Sequence, residues 1–338
     1  MERLAEEAAE HAAACHPLRS VFVGGGTPTA LSAREIDRLG RLVQQHFTLA
    51  QDCEFTFEAN PDSLTPAKID AMMAAGMNRL SLGIQSFLPR MRKILGRRTT
   101  LARLPAILDI LHRNGLNNIN FDLIFAIPGQ KLDDWQADLQ AAIALQPSHL
   151  SAYALMIEPG TPLARRMTKP VDERRFLECW HRTDSALRSA GLRRYEISNF
   201  AKHGQRCRYN WEIWHGQTYL GLGPAAVSFD GVNRPANPPS LQDWLDHAPQ
   251  ADDIIPARKR QAEILAFGLR TLDGWLLDDY RRLTGLDPLQ AFAPAIRRLC
   301  EHKLLKATGD SLRPTARGLL LNDCILEEIL SEGNPKTP

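Results

Sequence analysis

Gly24-Gly-Gly-Thr-Pro28 directly follows the apolar run Ser20 to Val23. Three glycines let a backbone approach a ligand closely and turn N–H groups toward it. The segment is no phosphate-binding loop, because no Lys-Ser or Lys-Thr follows. It is no dinucleotide fingerprint either, because the third glycine of that spacing is missing. A tight turn without a ligand is the plain alternative. Glu58 and Asn60 stand before Pro61, at the end of another apolar run. A carboxylate there can pair with an ammonium group or ribose hydroxyls, or be a solvated acid. Gln85 and Ser86 end a third run in the same way. Asp122 lies inside the apolar stretch Ile119 to Phe125, where a lone charge is expensive and needs a partner or a ligand. A hydrogen-bonded structural aspartate would also satisfy it. Arg97 could meet a ligand carboxylate as a fork, or be an ordinary surface arginine.

These residues need a scaffold that brings strand ends together. Apolar runs at Ser20–Val23, Glu54–Phe57, Arg79–Ile84, Asn118–Phe125 and His149–Leu155 alternate with helical segments at Ser32–Phe47, Thr65–Gly76, Leu101–Asn114, Asp133–Leu145 and Asp172–Ala190. Ser32 with Glu35 predicts a capping box. Pro66 fits a first helical position and Gly76 a stop. Such alternation predicts an α/β protein with a parallel sheet covered by helices. Five consecutive strands that each end in a ligand-type group, the last at Tyr153, fit the mouth of a TIM-like barrel better than the single switch point of a doubly wound sheet. The chain opens with a helix, Glu2 to Ala14, and no strand before it. A partial barrel missing its first strand is therefore expected.

The 338 residues are 44% hydrophobic and 24% charged, ordinary for a globular protein. A net charge of +2 gives no electrostatic case for a nucleic-acid partner. No apolar run reaches the ~20 residues of a membrane span. Six dispersed cysteines, with no Cys-x-x-Cys pair, read as reduced thiols and a cytoplasmic location. The histidines offer no metal spacing, so no metal-ligating set is assigned.

After Phe200 the texture changes. Tyr209-Asn-Trp-Glu-Ile-Trp214 is aromatic, and Tyr219 to Ser228 is small and glycine-rich. Helices are expected at Arg258–Leu272 and Asp287–Cys300, a strand pair within Leu304–Pro314, and a last helix over Thr315–Leu330. The expected division is a βα barrel over 1–200, an extension and linker over 201–250, a winged-helix-like module over 251–332, and a frayed tail over 333–338.

Seven segments occur in order: Val23-Gly-Gly-Gly-Thr-Pro28, Glu58-Ala-Asn-Pro61, Asn78 to Phe87, Leu95-Gly-Arg97, Phe121 to Gln130, Tyr195-Glu-Ile-Ser-Asn-Phe200 and Tyr219-Leu-Gly-Leu-Gly223. Together they resemble the oxygen-independent coproporphyrinogen III oxidase-like radical S-adenosylmethionine family. Glu196 to Ala201 and the later Asn210…Trp214 element resemble its heme-chaperone branch. The resemblance implies an S-adenosylmethionine site at Gly25, Gly26, Thr27, Glu58, Gln85, Arg97 and Asp122, with Ala154 and Val227 as weaker matches. It also implies heme as cargo, near Tyr209, Asn210 and Trp214, and a heme-receiving protein, membrane-associated ones included. It assigns no catalytic residue.

The family also carries a [4Fe–4S] cluster on a Cys-x-x-x-Cys-x-x-Cys triplet after the first barrel strand. This sequence has no such triplet, and three thiolates are needed to hold the cluster. An upstream start is the favoured reading, since the other ligand residues remain and an open sheet edge is a liability. In the branch signature His-Asn-x-x-Tyr-Trp, Tyr209 stands for the histidine and Ile213 for the tyrosine. The resemblance implies a heme chaperone. A coproporphyrinogen oxidase and a cluster-free binding protein are the alternatives.

Overall fold

The computed structural model describes residues 1–97, 100–158, 160, 161, 163–165 and 172–333. They divide into two compact units. One contains residues 15–194 and 198–206, the other residues 1–14, 195–197 and 207–338. The chain starts with α1 (Glu2–Ala12) and continues into β1 (Leu18–Val23), α2 (Ala33–His46), β2 (Leu49–Ala59), α3 (Pro66–Ala74) and β3 (Arg79–Gln85). Next come α4 (Pro89–Ile94), α5 (Leu104–Arg113), β4 (Ile119–Phe125), α6 (Leu132–Ala144), β5 (His149–Ala154) and α7 (Glu173–Ser189). Two short strands, β6 (Arg193–Arg194) and β7 (Asn199–Ala201), complete this sheet in the order β1-β2-β3-β4-β5-β7-β6.

Strands β1 to β5 run parallel, as the alternation of elements predicts. The pair β7 and β6 adds an antiparallel edge. The central strands alternate apolar and polar positions over most of their length. Phe55, Phe57, Leu80, Leu82, Phe121, Leu123, Phe125 and Leu150 are buried on one face. Thr56, Arg79, Ser81, Asn120, Asp122, His149 and Ser151 take the positions between them. The apolar face carries the helices. Phe125 packs on Trp135 of α6 (5.4 Å between ring centres) and Phe176 of α7 (5.7 Å). Ser32 and Glu35 form the capping box of α2, with backbone-to-side-chain distances of 2.7 and 3.3 Å.

In the second unit α8 (Arg208–Trp214), α9 (Leu241–Leu245) and α10 (Ala257–Gly268) precede β8 (Trp275–Leu276), α11 (Leu277–Thr284), α12 (Pro288–Ala291), α13 (Ala293–Glu301), β9 (Leu305–Ala307), β10 (Ser311–Pro314), α14 (Ala316–Leu320) and α15 (Asn322–Gly333). The strands form an antiparallel sheet, β8-β10-β9. Its core holds Leu265, Trp275, Tyr280, Phe292, Leu312, Ile325 and Ile329. The helix expected over Asp287–Cys300 breaks at Phe292, and that over Thr315–Leu330 breaks at Leu321, where the backbone leaves helical geometry (φ −109°, ψ 38°).

The units differ from the expected division at residue 200 in three places. Residues 201–206 stay with the sheet, while residues 195–197 and α1 group with the later unit. The reason for the placing of α1 is local. Glu7 is buried and accepts hydrogen bonds from Gly223 N (2.9 Å) and Asn237 Nδ2 (2.5 Å), both in that unit. Gly333 closes α15, so of the expected frayed tail only that residue is described; 334–338 lie outside the described residues.

Candidate functional site

Gly24, Gly25 and Gly26 leave the C-terminal end of β1. A Cβ at Gly24 would stand 2.9 Å from the Glu58 carboxyl carbon, so only glycine lets that carboxylate stay where it is. Gly25 and Gly26 have φ of +83° and +147° and open space on their side-chain side. The Gly25 N–H donates to Glu58.

Register sets the other groups beside it. Glu58 pairs with Ser81, Gly83 with Asp122, and Asp122 with Ser151, so one face of four adjacent strands carries them all. Asp122 accepts from Ser81 Oγ at 2.9 Å and from Asn120 Nδ2 at 2.8 Å. Burial raises the pKa of both carboxyls. The Asp122 charge adds to the rise at Glu58, while the Gly25 N–H and Arg79 oppose it. At Asp122 the rise is opposed by hydrogen bonds from Ser81, Asn120 and Ser151, and by Arg79. Both side chains are half-buried. Two acids that sense each other at the lip of a sheet favour a cationic ligand or a set of hydroxyl donors.

Gln85 occupies an unusual turn. Ser86 N donates to Ile84 O at 2.8 Å, closing a three-residue turn around Gln85 with φ +67°. That is the rare, strained hand of the γ-turn, a conformation that costs on the order of 1–3 kcal/mol for a non-glycine residue. The ladder shifts register at the same place, between Gly83 and Gln85. The Gln85 amide folds back over Gly83, within 3.1 Å of where a Cβ would sit. Ser86 is fully buried and faces Asp138 of α6, not the strand ends.

The remaining expected residues divide. Thr27 is exposed and precedes a short helical turn, Pro28–Ala30. Arg97 is exposed just beyond α4, and its guanidinium makes no hydrogen bond or ion pair among the described residues. Ala154 ends β5 opposite Phe125, on the helix-covered side by alternation, so its backbone is what it can offer the strand ends. Val227 belongs to the other unit, where it bridges to Ala236. Tyr209, Asn210 and Trp214 lie half-buried on α8 of that unit. Arg270 covers the Trp214 ring at 4.7 Å and ion-pairs with buried Glu196 at 3.1 Å.

The sequence reading missed the polar ladder beneath Asp122. Asn120 Nδ2 donates to Ser81 Oγ (2.8 Å) as well as to Asp122, and Asn120 Oδ1 faces His149 Nδ1 (2.6 Å) and Ser151 Oγ (3.2 Å). The signal was there: Arg79-x-Ser81, Asn120-x-Asp122 and His149-x-Ser151 each put polar residues two apart in an apolar strand.

Glycine amides, an amide side chain and two acids suit S-adenosylmethionine, with its ammonium, sulfonium and ribose hydroxyls. The iron–sulfur cluster does not fit the residues described. Among them no three His, Cys, Asp or Glu side chains are grouped to hold a metal, and the six cysteines are scattered and form no disulfide.

Comparison with known proteins agrees with the fold and with the family resemblance. Residues 1–142 match the radical SAM superfamily model and residues 255–321 the HemN C-terminal domain. The heme chaperone HemW of Mycobacterium tuberculosis is 35% identical, over 93% of this chain and 81% of its own length. HemW of Escherichia coli is also 35% identical, over 93% and 85%. Among solved structures, coproporphyrinogen III oxidase (HemN) from Escherichia coli, a radical SAM enzyme, superposes with a TM-score of 0.84 at 21% identity, covering 97% of this chain and 82% of that one. The parallel sheet is thus the partial TIM-like barrel of that fold. The chain belongs to the coproporphyrinogen oxidase-like radical S-adenosylmethionine family, in the branch of the heme chaperone HemW.

Proposed function

We propose that this protein binds S-adenosylmethionine at the strand ends of its partial barrel and carries heme to a recipient protein. The observation that supports it best is the pair Glu58 and Asp122, drawn together by strand register and both raised in pKa, beside open glycine amides. In this reading Glu58 and Asp122 take the ammonium and ribose hydroxyls, Gly25 and Gly26 offer N–H groups, and Gln85 an amide. Thr27 and the Ala154 backbone complete the set, and Arg97 takes the ligand carboxylate. Bound S-adenosylmethionine supplies a sulfonium-activated carbon. No step through an iron–sulfur cluster is derived.

The heme part of the proposal rests on the relatives' shared name and on α8, whose Tyr209 can ligate heme iron and whose Trp214 offers an aromatic face. Among the described residues no helix is long and apolar enough to cross a membrane. Titrating the full chain with hemin tests the heme part. A Soret shift that saturates near one equivalent, and weakens in Tyr209→Phe and Trp214→Ala, is expected. No shift at near-stoichiometric hemin would remove heme from the account.

A further inference from the structure

The core-facing stripe of α6 contains a residue that its position does not explain. Trp135, Asp138, Leu139 and Ala142 are all buried and follow the i, i+3, i+4, i+7 spacing of a helix face turned to the core. Three are apolar or small and one is an acid with no exposed surface. A buried carboxylate is costly unless donors surround it. Asp138 has them: Ser86 Oγ at 2.7 Å and Phe87 N at 2.6 Å, with the Leu88 N–H adding to them. Leu88 N in turn donates to Ser86 Oγ at 3.1 Å.

All these donors come from the three residues after Gln85. The Ser86 N–H is already committed to the turn around Gln85. Asp138 therefore grips the turn by the Ser86 side chain and by the backbone just beyond it. Relaxing Gln85 to a negative φ would swing Ser86 and Phe87 away from the carboxylate and leave a buried acid without donors. The strained residue and the buried acid thus explain each other.

We infer that Asp138 is a positioning residue for the ligand site: through Ser86 and Phe87 it holds Gln85 in the left-handed turn that presents its amide at the strand ends. This rests on the S-adenosylmethionine reading above. Asp138 itself touches no ligand.

The test is a double-mutant cycle on the full chain, read by calorimetric titration with S-adenosylmethionine and by crystal structures of the variants. Gln85→Ala and Asp138→Asn should each weaken binding about tenfold, the effect of one lost polar interaction. The double variant should bind no more than about twofold more weakly than Gln85→Ala, because Asp138 acts only through Gln85. Additive losses would overturn the inference. Ser86→Ala should reproduce the Asp138→Asn loss, and an unchanged affinity there would count against it. The Asp138→Asn crystal structure decides the positioning role by itself. Gln85 should leave positive φ, and Gln85 retained near +67° would overturn the inference whatever binds. If Gln85 moves but the parent protein binds no S-adenosylmethionine, the ligand reading fails and the inferred role in the ligand site fails with it, leaving only the contact.

Discussion

His149 Nδ1 lies 2.6 Å from the Oδ1 of Asn120, deep on the polar face of the barrel. The Asn120 amide group turns its Nδ2 toward Asp122, which accepts from it at 2.8 Å. Its Oδ1 is thereby left to accept, so His149 carries its proton on Nδ1. Burial, with Arg79 nearby, holds the His149 pKa well below 6.5. The ring is neutral, and Asp122 is oriented by residues that never reach the strand ends.

Nitrogen NMR of His149 should therefore show a neutral ring with the proton on Nδ1 throughout pH 6.5 to 8. A titration inside that window would contradict the network. Asn120→Ala should destabilise the fold by about 1–3 kcal/mol in urea unfolding, because it strands buried partners on β3, β4 and β5.

Asp138 makes stability depend on pH with a defined sign. Burial raises its pKa from 3.8 to about 6, against the pull of Ser86 and the Phe87 and Leu88 N–H groups. The folded protein then holds this proton more tightly than the unfolded chain does. The resulting contribution is fully present below pH 3.8 and is lost as pH rises through 6. At about 1.4 kcal/mol per pH unit the change is up to ~3 kcal/mol. Asp138→Asn cannot titrate, so its stability relative to the parent should improve by up to that amount between pH 4 and pH 7. A difference that stays constant with pH would show that Asp138 keeps an ordinary carboxyl.

Gly40 on α2 packs directly on Ala75 at the end of α3, with a hypothetical Cβ only 2.4 Å from the Ala75 Cβ and 2.8 Å from its Cα. Gly40→Ala should cost about 1–3 kcal/mol by overpacking, despite alanine's better helix propensity. Gain of stability in a thermal melt would mean the two helices stand further apart.

Gly24→Ala separates site from fold. The new methyl would press on the Glu58 carboxyl group and the Phe22 ring, both half-buried side chains. S-adenosylmethionine affinity should fall at least tenfold, with the unfolding midpoint changed little. Unaltered affinity would place Glu58 outside the ligand site.

Part of the candidate site was legible because strand ends announce themselves: Gly24–Gly26, Glu58, Gln85 and Asp122 each interrupt or terminate an apolar run, and register sets Glu58 and Asp122 on one face. Three features were not. The turn at Gln85 needs a positive φ at a residue with no preference for it, so no local signal marks it. Strands β6 and β7 are too short to show a period. The place of α1 depends on a hydrogen bond between Glu7 and Gly223, 216 residues apart, which no local pattern can report. Two other features were legible and passed over: the polar alternation in β3, β4 and β5, and an acid at a core position of α6.

The central claim is that Glu58 and Asp122 form one ligand site for S-adenosylmethionine. Calorimetric titration of the parent chain, Glu58→Gln and Asp122→Asn measures it directly. The account predicts saturable binding by the parent and at least tenfold weaker binding by each variant, with their circular dichroism unchanged. Equal affinity in all three, or no binding by the parent, would contradict it.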